Sequence, residues 1–208
     1  MLWTHSEGLP GDRGSEKGIL PEGGVHQAVS EKLRARVGES EPDRRGWGRY
    51  SRCEVTGGTG ANRRVVWFQV MAACRSDKPG SMWQRQWERM REAQVGGHSM
   101  EANPWEQLCA DLHIEVMELM MCKEKGTAII MSGDFNIQWG ETRGSRVWNS
   151  LSALAERFGL VNAGVDKFGA SLPETFFSGT KKTAMDHFLV SKRLVAEGGC
   201  DGYGHLAG

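Results

Sequence analysis

The amino-acid sequence predicts a sheet-based α/β or α+β domain with helices outside the sheet. Three observations carry this expectation. Apolar patterns run in the order β-β-α-α-β-α-β-β, so helices interleave with hairpin-like strand pairs. The stretch Thr127 to Ser132 is apolar without alternation, as in a strand covered on both faces. The chain has 208 residues and no internal repeat, which suits one domain with a real core.

Taken in order, residues 1–23 are rich in Gly, Glu and Pro without usable periodicity. They read as a disordered or poorly packed segment, and 24–208 as the domain. A short helix is predicted over Gln27 to Val37. The charged stretch Glu39 to Gly46 reads as a loop. Gly48 to Val55 and Arg64 to Ala72 form two strands around Gly57-Gly58-Thr59-Gly60, a hairpin pattern. Trp83, Trp87 and Met90 follow at helical spacing, with Ser81 as N-cap.

A second helix opens at Asn103-Pro104-Trp105-Glu106. Asn103 is the cap, Pro104 suits the first helical position, and Glu106 sits where a capping-box acid belongs. Its apolar stripe is Trp105, Leu108, Cys109, Leu112, Val116, Leu119 and Met120, and Gly126 ends it. After the buried strand, a third helix is predicted from Ser145 to Phe158, with Val147, Leu151, Leu154, Ala155 and Phe158 inward and Gly159 closing it. Glu174 to Phe177 and Thr183 to Val190 read as a last pair of strands.

Composition narrows the function classes. Lys+Arg and Asp+Glu both number 26, so bulk charge offers no attraction to nucleic acid and any polyanion site must be local. The five cysteines are scattered and no CxxC pair occurs, which supports neither a zinc site nor a disulfide framework. A reducing compartment follows, intracellular, nucleus or cytoplasm. No apolar run approaches the ~18 residues of a membrane span, and the N-terminus lacks the apolar stretch of a signal peptide.

The chemistry concentrates in Ile129-Ile130-Met131-Ser132-Gly133-Asp134-Phe135-Asn136. A buried strand runs into a glycine, then presents an acid and an amide two residues apart. Alternation along an extended segment would point Asp134 and Asn136 the same way. On its own the tetrapeptide Gly133 to Asn136 reads equally as a turn, since Gly, Asp and Asn are common turn residues that bond their own backbone.

Gly133-Asp134-Phe135-Asn136 resembles the endonuclease/exonuclease/phosphatase family, and Ala184-Met185-Asp186-His187-Phe188-Leu189-Val190-Ser191 resembles its late aspartate-and-strand motif. Glu174-Thr175-Phe176-Phe177 resembles the Thr-Phe strand between them. Cys74-Arg75-Ser76 and Gly80-Ser81-Met82-Trp83-Gln84-Arg85-Gln86 are similar to retroelement-type members. The resemblance covers roughly Gly24 to Val195.

It implies a partial four-layered α/β sandwich of the DNase I type and metal-dependent phosphodiester hydrolysis of nucleic acid, with Mg²⁺ or Mn²⁺ as cofactor and DNA as partner. By the same resemblance, Asp134 positions or deprotonates the attacking water, a task suited to a carboxylate. Asn136 bonds the phosphate or the nucleophile, and Asp186 orients a catalytic histidine. His187 follows Asp186 directly, so on a strand it faces away and is not that base.

Trp83 sits where relatives carry a phosphate-contacting tyrosine, and a core or rim role fits it better. Arg85 and Arg89 are exposed helix arginines by pattern. Trp87, Trp105 and Trp148 lie on apolar stripes, which core packing explains better than base stacking.

The resemblance is incomplete. The family's metal-binding glutamate has no counterpart among Glu7, Glu16 and Glu22, which sit in sequence without strand character. The closing Ser-Asp-His is not matched by Asp201 or His205 and would fall just beyond Gly208. The expectation is therefore a retroelement-derived fragment, truncated at both ends, with weak or no activity. The alternative is a non-catalytic nucleic-acid-binding or interaction module.

Overall fold

A computed structural model of the chain describes residues 2–9, 22–29, 31–57, 64–95, 100–101, 103–121, 126–143, 148–169 and 172–196. Two strands, β1 (Leu2–Leu9) and β2 (Glu22–Val29), precede a one-turn helix, α1 (Glu31–Arg34). Then come β3 (Val37–Pro42), β4 (Tyr50–Thr56), β5 (Arg64–Met71), α2 (Met82–Val95), α3 (Pro104–Met121) and β6 (Thr127–Asp134). The rest of the domain is α4 (Leu151–Arg157), β7 (Leu160–Asn162), α5 (Ala163–Phe168), β8 (Phe176–Ser178), β9 (Lys181–Thr183), β10 (Asp186–Ser191) and α6 (Lys192–Ala196).

The α/β class expected from the sequence is the class observed. A six-stranded sheet in the order β3-β4-β5-β6-β10-β7 forms the centre. Strands β5 and β6 are parallel, in register from Arg64 with Thr127 to Met71 with Asp134. Parallel neighbours need a long crossover, which α2 and α3 supply. All other pairs in the sheet are antiparallel, including β6 with β10.

Strand alternation sorts the two faces of the sheet. Phe68, Val70, Ile129, Met131 and Leu189 point into one core with Leu108, Cys109, Leu112 and Val116 of α3 and with Leu151 and Leu154 of α4. The β1–β2 ribbon lies against β3, β4 and β5. Gln27 of that ribbon donates its side-chain amide to the Trp67 carbonyl at 3.0 Å.

Both predicted N-caps hold. The Ser81 hydroxyl accepts from the Gln84 N–H at 3.3 Å. Asn103 Oδ1 accepts from the Glu106 N–H at 3.1 Å, while Asn103 Nδ2 donates to the Glu106 carboxylate at 2.8 Å. The α3 stripe is buried as far as Leu119, but Met120 is half exposed, because the helix turns it past the edge of the sheet.

The loop between β3 and β4 is tied to α3 by charge. Arg49 is fully buried and bonds Asp43 twice at 2.7 Å and Asp111 at 2.7 Å. Arg45 grips Asp111 at 2.6 and 2.9 Å, and Arg44 reaches Glu115 at 2.8 Å. The Trp47 ring has the guanidinium of Arg49 4.7 Å from its centroid.

Several expectations are corrected. Leu2–Leu9 and Glu22–Val29 pair as strands, so Glu7 and Glu22 do lie in strand backbone. Cross-strand bonding decides that ribbon, which has no apolar alternation to signal it. The helix expected over Gln27 to Val37 shrinks to four residues between β2 and β3. Much of the stretch Glu39 to Gly46 is the end of β3, an edge strand rich in charge, as edges commonly are. The third helix begins at Leu151, because the Ser150 hydroxyl accepts the Ala153 N–H at 3.1 Å and caps it there. Ser145 and Val147, the Gly58-Thr59-Gly60 part of the turn, Cys122 and Cys200 lie outside the described residues. Among the described residues no helix is long and apolar enough to cross a membrane.

Candidate functional site

The site is built where β6 and β10 end side by side. Both strands bring an aspartate to the same level, Asp134 opposite Asp186. Directly opposed residues of antiparallel strands have Cα atoms about 4.5–5.5 Å apart, so the two carboxylates share one patch. Alternation puts them on the sheet face opposite Met131 and Leu189, the residues turned toward the helices.

Gly133 is the penultimate residue of β6, just before the chain leaves the sheet. Its φ is +133°, and a Cβ there would lie 2.0 Å from the Val70 carbonyl oxygen of β5. Only glycine fits such an approach without displacing the neighbouring strand. The chain then bends sharply. Asn136 has φ +50°, and its N–H donates to Asp134 Oδ1 at 2.8 Å, an Asx turn. The extended geometry expected for residues 134 to 136 is therefore replaced by a turn, as the alternative reading of the same residues has it. Phe135 and Ile137 anchor it by entering the core on either side of Asn136.

Three further contacts hold Asn136 and Asp134 in place. Asn136 Nδ2 donates to the Ala72 carbonyl at 2.7 Å, and the Ala72 N–H donates to the Asp134 carbonyl at 2.8 Å. Arg143 donates from Nη2 to the Asn136 carbonyl and from Nε to Glu141 at 2.9 Å. On the other strand, the Thr175 hydroxyl accepts from the N–H groups of Met185 and Asp186, both at 3.0 Å. Thr175 thereby fixes the break between β9 and β10 that exposes Asp186, within a stretch expected to be one continuous strand.

Burial holds the half-buried Asp134 carboxyl above the usual carboxylate range, and the like charge of Asp186 adds to this. Hydrogen bonds from Asn136 offset part of it. A carboxylate with raised proton affinity beside an exposed second acid is suited to taking a proton from a bound water.

His187 faces away from Asp186, as the sequence implies, and is buried. Its Nε2–H donates to the Ile137 carbonyl at 2.9 Å, so Nδ1 is the acceptor, 3.1 Å from Asn162 Nδ2. Burial holds this imidazole below the ordinary histidine range. It braces the turn that carries Asn136.

Among the described residues, no group of three His, Cys, Asp or Glu side chains converges as a metal site. The pair Asp134 and Asp186 alone fits a well-hydrated Mg²⁺ or Mn²⁺, which takes one or two carboxylates and keeps several waters. It does not fit a closed protein cage. Glu16, Asp201 and His205 lie outside the described residues.

Trp83 is a core residue, as are Trp105 and Trp148. Trp87 departs from the packing expectation. It is half-buried and lines a cleft of about 410 Å³ with Arg75, Trp83, Arg91, Asn103 and Arg143. Arg85 and Arg89 are not among the lining residues. Sequence patterning missed Arg143 and the Ala72 carbonyl. A lone arginine in a polar loop carries no periodic signal, and a backbone acceptor carries none at all. Thr175 was visible as part of the Thr-Phe strand.

No protein-family model matches the chain, and no curated protein matches it. Solved structures do. The 3′-5′ exonuclease NExo from Neisseria meningitidis aligns at 16% identity with a TM-score of 0.46, over 77% of this chain and 59% of that one. The endonuclease domain of TRAS1, a telomere-specific non-LTR retrotransposon, aligns at 12% identity and 0.45, over 93% and 69%. TDP2 from C. elegans aligns at 13% identity and 0.44, over 91% and 47%.

Proposed function

We propose that this chain carries a partial phosphodiesterase site directed at nucleic acid, with weak or no hydrolytic turnover. The observation that carries the reading is the opposition of Asp134 and Asp186 at adjacent strand ends, with Asn136 held beside them in a turn. In this reading Asp134 accepts the proton of the attacking water, which its raised proton affinity favours. The Asn136 amide, tethered to the Ala72 carbonyl, offers a neutral donor near a phosphate oxygen without repelling it. Asp186 supplies the second carboxylate of the patch.

A divalent cation beside the patch, with Asp186 as its carboxylate ligand and Asp134 left as the proton acceptor, would neutralise charge on the phosphoryl oxygens. With no group of three His, Cys, Asp or Glu ligands for it among the described residues, and the neutral Asn136 amide as the donor for the phosphate, the rate is expected to fall by orders of magnitude. A retroelement origin belongs to the same reading. It rests on the sequence resemblance in Gly80 to Gln86 and the order of the two aspartate motifs.

The test is a nicking assay on supercoiled DNA with Mg²⁺ or Mn²⁺. Slow nicking, or none, is expected, and any nicking should disappear in Asp134→Ala. Robust turnover lost in Asp134→Ala would contradict the weak activity. Robust turnover retained in that variant would contradict the site itself.

A second reading, a nucleic-acid-binding module without catalysis, is favoured by the arginine- and tryptophan-lined cleft beside Asn136. Its signature is strand binding without cleavage.

A further inference from the structure

We infer that the cleft between α2 and the loop after β5 is a subsite for one nucleotide of a single-stranded nucleic acid, an inference that rests on nucleic acid being the ligand of the proposed site. Three guanidinium groups, from Arg75, Arg91 and Arg143, line it together with the indole of Trp87. Its volume of about 410 Å³ falls within the range of small-molecule sites, about 300–1,000 Å³, and admits a single nucleotide.

The side chains divide into two functions. Trp87 is half-buried, outside the main core and on the lining of the cleft, and stacking is the role assigned to its ring. The guanidinium of Arg91 lies 5.8 Å from the centroid of that ring, which places a cation beside the surface a base would occupy. Among the described residues no ion pair engages Arg75 or Arg91, and both are exposed. Arg143 is fixed by Glu141 and by the Asn136 carbonyl, which leaves Nη1 as a buried donor without a partner among the described residues. Asp77 lines the same cleft and offsets one of the three positive charges.

Cation plus stacking surface is the chemistry of single-strand recognition, in which each base presents a π-face and each phosphate a charge. An acidic peptide would satisfy the arginines but leave Trp87 without a role. Arg143 also gives the cleft its position in a larger site. It lines the cleft with one edge and holds the Asn136 carbonyl with another, so the cleft and the Asp134–Asn136 turn share a wall. In the inferred arrangement, Arg143 joins a phosphate position at Asn136 to a flanking nucleotide in the cleft. Zero net charge on the chain does not oppose this, because the positive charge is local.

The test uses the full chain in buffer containing EDTA, with a short fluorescein-labelled oligothymidylate followed by anisotropy. Trp87→Ala should weaken binding at least about fivefold, and Trp87→Phe should restore most of the loss. Arg91→Ala should reduce the slope of log K against log salt by about 0.7, the value for one phosphate contact on a single strand. Lys192→Ala, on the exposed face of α6, should leave both quantities unchanged. Thymidine 5′-monophosphate should displace the oligonucleotide far better than inorganic phosphate does.

If the parent chain does not bind, or if Trp87→Ala and Arg91→Ala bind like the parent, the subsite is overturned. If inorganic phosphate competes as well as the nucleotide, the assignment to a nucleotide is overturned. Binding is read without metal or turnover, so cleft-dependent binding with no nicking removes only the hydrolytic proposal. Nicking with cleft-independent binding removes only the subsite.

Discussion

Replacing Gly133 by alanine should destabilise the domain and disorganise the candidate site together. The added Cβ would stand 2.0 Å from the Val70 carbonyl oxygen, where real Cβ contacts are essentially never below 3.0 Å. Strands β5 and β6 must therefore part by at least about 1 Å at that point, on backbone atoms with no rotamer to yield. Two bonds lie within the next residues and share that geometry, Ala72 N–H to the Asp134 carbonyl and Asn136 Nδ2 to the Ala72 carbonyl. An unfavourable φ of +133° costs about 1–3 kcal/mol, and the two bonds contribute about 1 kcal/mol each, so a loss of about 3–5 kcal/mol follows. Urea unfolding followed by tryptophan fluorescence measures it. Gly140→Ala is the control, because a Cβ there meets nothing within 4 Å, and its effect should stay within about 0.5 kcal/mol. A loss below about 1 kcal/mol for Gly133→Ala would refute the close-approach argument.

Asp186→Asn should bring the Asp134 carboxyl back toward the ordinary carboxylate range without restoring it fully, because burial is the larger cause of its elevation and Asp186 the smaller. Carboxyl-carbon NMR titration reads this directly, and an unchanged Asp134 titration would show that the two acids do not interact. Arg49→Met should cost about 3–5 kcal/mol, because it leaves the buried Asp43 carboxylate without its guanidinium while Arg45 still serves Asp111. Burial opposes the charge on Asp43, but the bonds from Arg49 and from the backbone hold its carboxyl below the usual range. A depressed carboxylate stabilises the fold fully above its unfolded pKa of about 3.9 and loses that contribution as pH falls through the folded value. Stability measured against pH should therefore fall below about pH 4 in the parent chain and more weakly in Arg49→Met, and parallel profiles would contradict the role of Asp43.

How much of this could be read in advance varied with the kind of signal. The α3 cap was visible because Asn103, Pro104 and Glu106 act within one turn. The pairing of β4 with β5 was visible because both strands carry strong patterns. The β1–β2 ribbon was not visible, since Gly, His and Ser in its strands have little strand preference and each residue pairs with one 13 to 27 positions away, from Leu9 with Glu22 to Leu2 with Val29. The start of α4 was placed too early because apolar spacing continues past the point where Ser150 caps the helix. In the site, Asp134 and Asn136 stand out by residue type after an apolar strand, and Asp186 by the resemblance of its segment to the family's late aspartate motif. The contacts that hold them, from Arg143, Ala72 and Thr175, do not, because they span up to 64 residues of chain or use backbone atoms.

By itself, the sequence determined the sheet-centred class and the two long helices. Those depend on local periodicity and on short-range chemistry. Only the tertiary structure decided that Asp134 and Asp186 lie opposite each other, since that follows from the register of two strands over 50 residues apart. It also replaced the extended Asp134–Asn136 segment with a turn and turned Trp87 from the core into a cleft. The first rests in part on the Ala72 carbonyl that holds the Asn136 amide across 64 residues of chain, and the second on the space beside the loop after β5.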